Sequence, residues 1–364
     1  MVVSCIVPVR NGGCWLEKCL ESILLFEVSS DIIIQVSVYN DGSNDNTDSI
    51  LQLYKQLFYE KNVEFIATAG NITNGVGYAK NRAVEQSTGD YLCFCDADDV
   101  FTPLRIKSQL NAALNSKNPS LAFIGGKFVR EPCNSTYRYA KWANSLSEEE
   151  LYTEIYTSHG PTLIAPTWFF SRELFNKVGG FKELEAVGYP EDLRFFYDAV
   201  KHGAILIRVD ECVTIYRYHM ECASLKVSEA IIWSVRVEEI SENVISKWKS
   251  FTIWNAGKEG KRFYKLEFFV LSDFFDRNFR SLSCEDQKKV IAFCDVDVKK
   301  IDRGYYENYD CVARIVTAKV PIISVSAVLP PVIICVKMDL SGGVFEQLLR
   351  EKKWREGVDY FHFN

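Results

Sequence analysis

At 364 residues, with 48% hydrophobic and 25% charged content, the chain has the composition of a soluble globular protein and room for two cores. A net charge of −6 argues against broad, nonspecific nucleic-acid binding, and no run of about 20 apolar residues marks a membrane span. The first residues, Val2-Val3-Ser4-Cys5-Ile6-Val7, already read as a strand, with no basic n-region or cleavable leader before them. The expected location is therefore cytoplasmic. The twelve cysteines are scattered, with no CxxC pair and no histidine at metal-ligand spacing, and most of them read as reduced, buried small hydrophobes.

The first third alternates strands and helices. Val3 to Val9 is nearly all apolar, as in a parallel strand covered on both faces. Trp15, Cys19, Leu20 and Ile23 recur at helical spacing. A strand from Ile32 to Tyr39 runs into Asn40-Asp41-Gly42-Ser43. Ile50, Leu51, Leu53, Tyr54 and Leu57 mark a helix, Val63 to Ala67 a strand, Gly75 to Gln86 a loop entering a helix, and Asp90 to Cys95 a fourth strand. The βαβαβ order predicts a doubly wound sheet with a ligand at the strands' carboxyl ends.

Residues 100–240 are less regular. Strands are expected at Ala122 to Val129, Pro166 to Phe170 and Ile205 to Val209, and helices from near Ser147, Ser171, Glu191 and Ser228. The last of these, reaching about Trp248, is read as the way out of a first domain spanning 1–240. A second α/β unit, 241–364, opens with Phe251-Thr252-Ile253-Trp254, a glycine turn and a helix. The strand ending at Asp295 and the apolar segments Pro321 to Val328 and Pro331 to Val336 follow. This is a small Rossmann-like pattern. The Gly257 to Gly260 spacing lacks one glycine of the dinucleotide fingerprint, so a structural or RNA-docking module is the default, with Asp295 open to a ribose hydroxyl.

Chemistry concentrates at the expected strand ends. Asp96-Ala97-Asp98-Asp99 follows the apolar run Tyr91 to Cys95. Carboxylates at i and i+2 point the same way, and two hard oxygen ligands suit Mg²⁺ or Mn²⁺. Such an ion can neutralise a departing diphosphate. Pro8, Val9, Arg10 and Asn11 end the first strand and Asp41-Gly42-Ser43 the second. Asp41 suits a uracil N–H, a ribose hydroxyl, or simply a turn before glycine. Lys80 and Asn81, in the helix entry, are placed to hold Asp96 or a diphosphate.

These stretches resemble the GT-A glycosyltransferases of family 2. The resemblance rests on SCIVPVRNG, VSVYNDGSNDNT, NGVGYAKNRAVEQSTGDYLCFCDADD, FFSRELFNKVGGF, GYPEDLRFFYDAV and YRYH, which lie in the family's order over residues 3–220. It implies a GT-A domain followed by the Rossmann-like one. It also implies that Asp41, Asp96 and Ala97 contact a nucleotide sugar, that Asp98 ligates the metal, and that Asp192 is the base of an inverting reaction. His219 would be the second metal ligand or a packed histidine. Arg217 would offset diphosphate charge, and Lys80 stands where the family usually has arginine. Glu191 reads as a helix-capping residue beside the base, and Trp168 and Phe169 as acceptor-stacking residues or core.

The second half, with IWNAGKEGKRFYK, VIAFCDVD, ICVKMDLSGG and EGVDYFHFN, resembles the eukaryotic β-1,3-N-acetylglucosaminyltransferase-like group. That group resembles the tRNA-queuosine galactosyltransferases. The resemblance implies galactose transfer from UDP-galactose to queuosine in tRNA-Tyr. Transfer of GlcNAc from UDP-GlcNAc to a galactose-terminated acceptor is the alternative, and a noncatalytic RNA- or nucleotide-binding protein a third. Lysines and arginines from Lys247 to Arg355 could track RNA phosphates.

Overall fold

The computed structural model describes residues 1–183, 188–265, 281–310, 314–337 and 343–364. Residues 338–342 of the ICVKMDLSGG motif lie outside them. Two compact units emerge: residues 1–151 with 161–228, and residues 152–160 with 229–364.

The first unit runs β1 (Val2–Val9), α1 (Leu16–Leu24), β2 (Ile33–Asp41), α2 (Thr47–Glu60), β3 (Glu64–Gly70), α3 (Val76–Glu85) and β4 (Tyr91–Phe94). These match the sequence expectations to within a few residues. There follow β5 (Val100–Phe101), α4 (Arg105–Leu114), β6 (Ala122–Glu131), α5 (Tyr137–Ser145), α6 (Glu150–Thr153), β7 (Phe169–Ser171), α7 (Arg172–Val178), α8 (Glu191–Lys201) and β8 (Ile205–Arg217). One sheet carries the strands in the order β3-β2-β1-β4-β7-β6-β8-β5. Strands β3, β2, β1 and β4 are mutually parallel, whereas β7 is antiparallel to both β4 and β6. The chain leaves β1 toward β2 on one side and returns to β4 on the other. A crevice therefore opens beyond the carboxyl ends of β1 and β4.

Val3, Cys5, Val7 and Val9 of β1 pack with Cys19, Leu20 and Ile23 of α1 and Ile50, Leu51, Tyr54 and Phe58 of α2. Full coverage is why β1 reads as a nearly all-apolar run. Helix α4 carries no expectation from the sequence because its buried face holds Arg105 and Gln109. The Arg105 guanidinium donates to the carbonyls of Phe94 (2.7 Å) and Trp168 (3.4 Å) and to Gln109 Oε1. The strand expected at Pro166 to Phe170 is instead a 3-10 turn, Ala165–Thr167, followed by β7.

The second unit contains α9 (Glu229–Asn243), β9 (Phe251–Trp254), α10 (Lys258–Tyr264), α11 (Cys284–Lys289), β10 (Val290–Asp295), α12 (Val298–Arg303), β11 (Tyr305–Asp310), β12 (Ile315–Ser324), β13 (Val332–Ile334), α13 (Val344–Lys352) and β14 (Tyr360–His362). Its sheet order is β11-β12-β10-β9-β13-β14, with β11 the antiparallel edge. The division falls at Ser228, before the expected 240, because α9 belongs here. Its Trp233 meets Phe363 edge-on, and its Arg236 donates to the carbonyls of Tyr156 and Asn364. Asp295 is not open to a ribose. Its carboxylate accepts from the Ala256 and Asp297 amides and pairs with Lys300 at 2.8 Å.

Candidate active site

The site forms where β1, β2 and β4 end and where α3 and α8 begin. Asn11 sits in the left-handed region at φ 51°. Its amide donates to Ser43 Oγ (2.8 Å), and its side-chain oxygen accepts from the Asn44 amide (3.0 Å). The ends of β1 and β2 are thereby stitched together. Val9 is buried, Pro8 half-buried and Arg10 exposed. Asp41 is buried and accepts from the amides of Asn74 and Gly75 at 2.9–3.1 Å. It fixes the loop that enters α3.

Lys80 is the hub. Only 4% of its side chain is exposed, and its Nζ lies 2.9 Å from Glu191 Oε1 and 5.1 Å from the centre of the Phe181 ring. Burial opposes its charge, but Glu191, Asp96 and Asp192 together hold its pKa above the ordinary lysine value. Gly77, one turn earlier, makes this approach possible: a Cβ there would meet the Lys182 carbonyl at 2.5 Å. Asn81 turns to another task. Its amide bonds both the N–H and the carbonyl of Phe181, and also Glu183 Oε1, leaving neither Asp96 nor a diphosphate as its partner.

Two further carboxylates that act on this lysine, Asp96 and Asp192, are both shifted. Burial pushes Asp96 up to about 6, with Lys80 opposing and Asp98 adding to the rise. Burial likewise pushes Asp192 up to about 6, with Glu191 adding and Lys80 and the Leu193 amide opposing. Glu191 does not cap α8. The cap position is Pro190 without a side-chain bond, and Glu191 is committed to Lys80. Gly188 delivers this segment at φ +89°, where a Cβ would lie 2.3 Å from the Lys226 carbonyl. Only glycine fits there.

Asp98 Oδ2 lies 3.1 Å from His219 Nε2. The imidazole stacks on Trp15 with ring centroids 4.4 Å apart, and its Nδ1 is buried with no partner. A carboxylate and an imidazole nitrogen facing each other on a partly exposed rim are a fitting pair of ligands for a divalent cation. Asp99 is fully buried. It accepts from the Arg217 amide at 2.9 Å, and burial together with Asp98 and Asp96 pushes its pKa well up. Arg217 is also buried, and its guanidinium donates to the carbonyls of Asp98, Trp15 and Asp99. It clamps the Asp96 to Asp99 loop from behind instead of presenting a free fork to a diphosphate.

Of the two readings of Trp168 and Phe169, acceptor stacking or core, the structure supports core. Both are fully buried: Trp168 donates to the Leu163 carbonyl and packs on Phe123, Phe181 and Phe195, and Phe169 stacks on Tyr91. Arg130 escaped the sequence reading. Its guanidinium lies 3.7 Å from the centre of the Tyr216 ring, and two of its nitrogens are buried without partners. Nearby, burial raises the Tyr139 phenol, with Arg130 pulling it back and Asp192 adding to the rise. The cysteine reading is also corrected. His219 and Cys222 are three residues apart, and with Asp98 their ligand atoms lie within 4.8 Å of one another. No helix among the described residues is long and apolar enough to cross a membrane.

Residues 4–179 match the family Glycosyl transferase family 2. Asp192, Arg217 and His219 lie beyond that match. An uncharacterized glycosyltransferase of Rickettsia typhi is 24% identical over 318 residues, covering 82% of this chain and 90% of its own. One from Rickettsia felis is 26% identical over 262 residues, covering 68% of this chain and 40% of its own. The alignment with the Rickettsia felis relative thus spans about two-fifths of that protein. Among solved structures, Staphylococcus aureus TarS superposes with a TM-score of 0.50 at 17% identity, covering 66% of this chain and 40% of TarS. The likeness to TarS is one of fold. With the crevice and the aspartates, the family match marks residues 4–179 as a family 2 glycosyltransferase domain, and the fold is GT-A.

Proposed function

We propose that the chain is an inverting glycosyltransferase that moves galactose from UDP-galactose to queuosine in tRNA. The observation that carries the chemistry is the placement of Lys80 among Asp96, Glu191 and Asp192, with Asp96 and Asp192 both raised to about 6. A carboxylate near 6 is ionised at pH 7 yet basic enough to accept a proton from an attacking hydroxyl. Asp192, on the first turn of α8, is that base. The acceptor oxygen loses its proton to Asp192 as it attacks the anomeric carbon, the bond to the diphosphate breaks, and the configuration inverts. Asp98 and His219 would hold the divalent cation, Mn²⁺ or Mg²⁺. When bound, such an ion supplies charge neutralisation at the departing diphosphate. Asp96 and the loop fixed by Asp41 position the nucleotide sugar, and Lys80 keeps the carboxylates close without mutual repulsion.

The donor sugar and the acceptor rest on the sequence resemblance of the second half. The second unit adds exposed cations at Lys247, Lys249, Lys258, Lys288, Lys299, Arg303, Arg350, Lys353 and Arg355. Others in that expected group are engaged internally, as Lys289 is with Asp286 and Lys300 with Asp295. The test is to incubate the protein and Mn²⁺ with UDP-galactose or UDP-GlcNAc and either queuosine-containing tRNA or a galactose-terminated glycan, then to weigh the nucleosides and glycans. Queuosine gaining one hexose with UDP-galactose alone is the expected result. Transfer with UDP-GlcNAc alone to a galactose-terminated glycan overturns donor and acceptor together and leaves the chemistry standing.

A further inference from the structure

We infer that Cys222 is a third protein ligand of the cation held by Asp98 and His219, so that the site is a mixed oxygen, nitrogen and sulfur set. The inference rests on the metal reading of those two residues and goes beyond it. After β8 ends at Arg217 the chain reverses sharply, with the Cys222 amide donating to the His219 carbonyl at 3.2 Å. The turn folds the thiol back against the histidine: the His219 amide donates to Cys222 Sγ, also at 3.2 Å. The result is a His-x-x-Cys arrangement, the short spacing that lets one turn offer two ligands to one ion.

The distances support a common centre. One ligand atom each from Asp98, His219 and Cys222 lies within 4.8 Å of the other two. Three points so spaced share a centre within about 2.8 Å of each, against metal bonds of about 2.0–2.3 Å. Small side-chain rotations close that gap. Cys222 is buried, forms no disulfide, and among the described residues its thiol's one further hydrogen bond is a long 3.8 Å approach to the Arg217 carbonyl. The Trp15 ring under His219 and the Arg217 clamp behind Asp98 hold the other two ligands in place. Sulfur beside imidazole and carboxylate shifts preference from Mg²⁺ toward borderline ions such as Co²⁺ and Zn²⁺. The geometry is compatible with Mn²⁺, but the thiolate would tighten the softer ions more.

The experiment is to add Co²⁺ to the purified full-length protein and record its absorption spectrum. Expected are visible d–d bands and a near-ultraviolet sulfur-to-cobalt charge-transfer band. Cys222→Ser should remove the charge-transfer band, keep the d–d bands and weaken Co²⁺ binding by about tenfold or more. Asp98→Asn should diminish both. Bound cobalt without a charge-transfer band, or a band that survives Cys222→Ser, overturns the sulfur ligand and leaves the Asp98–His219 pair standing. Failure to bind cobalt at all overturns the pair and the inference with it.

Discussion

Lys80 Nζ and Glu191 Oε1 lie 2.9 Å apart with 4% and 15% of their side chains exposed, and this ion pair ties α3 to the first turn of α8. The pair does more than join two helices. It brings a cation to the two raised carboxylates, Asp96 and Asp192, that the proposed chemistry requires. Lys80→Met should therefore cost about 3–5 kcal/mol, because Glu191, with only 15% of its side chain exposed, is left unpaired. Urea unfolding measures this. A loss under about 1 kcal/mol would show that the pair is not structural.

The pH dependence has a definite sign. As the proposed base, Asp192 would act only when ionised, and its pKa is raised to about 6. The rate kcat/KM should rise from pH 5 to a plateau above pH 7, with an apparent pKa near 6. Stability should move the other way. Between the ordinary value of 3.8 and about 6 the folded state binds more protons than the unfolded one, so Asp96 and Asp192 lower stability as pH rises through that window. Asp192→Asn should raise unfolding stability at pH 7 on the order of 1 kcal/mol, read by denaturant titration.

Arg217 serves three carbonyls from one planar group. Lysine reaches at most one or two of them. Arg217→Lys should loosen the Asp98 loop and weaken Mn²⁺ binding about tenfold, with a smaller effect on Tm. Titration calorimetry with Mn²⁺ checks the first and a thermal melt the second. Unchanged Mn²⁺ affinity would mean that the clamp does not govern the metal ligands.

Trp168→Ala separates core from acceptor surface. With Trp168 fully buried among Phe123, Phe181 and Phe195, the substitution should cost about 3–5 kcal/mol of stability. A stable variant with only a raised acceptor KM would restore the stacking role.

The elements of β1 to β4 were legible because each carries one dominant period: Cys19, Leu20 and Ile23 at helical spacing, a nearly all-apolar run on β1. That the ends of β1, β2 and β4 meet the start of α3 at one crevice followed from that topology alone. What the sequence hid were the places where polar side chains work inside the protein. Arg105 masks α4, and Arg217 and Asn81 look like ligand contacts but spend their donors on backbone carbonyls and Glu183. Trp168 reads the same whether it stacks a substrate or fills a core. The partnership of Asp98, His219 and Cys222 depends on a turn after β8 that no periodicity announces.

The most direct test compares transfer by wild type and Asp192→Asn, with UDP-sugar binding measured in parallel. The account predicts a kcat lower by roughly 10²–10⁴-fold, a lost titration near pH 6, and retained donor binding. Near-normal turnover by Asp192→Asn on the same acceptor would contradict it.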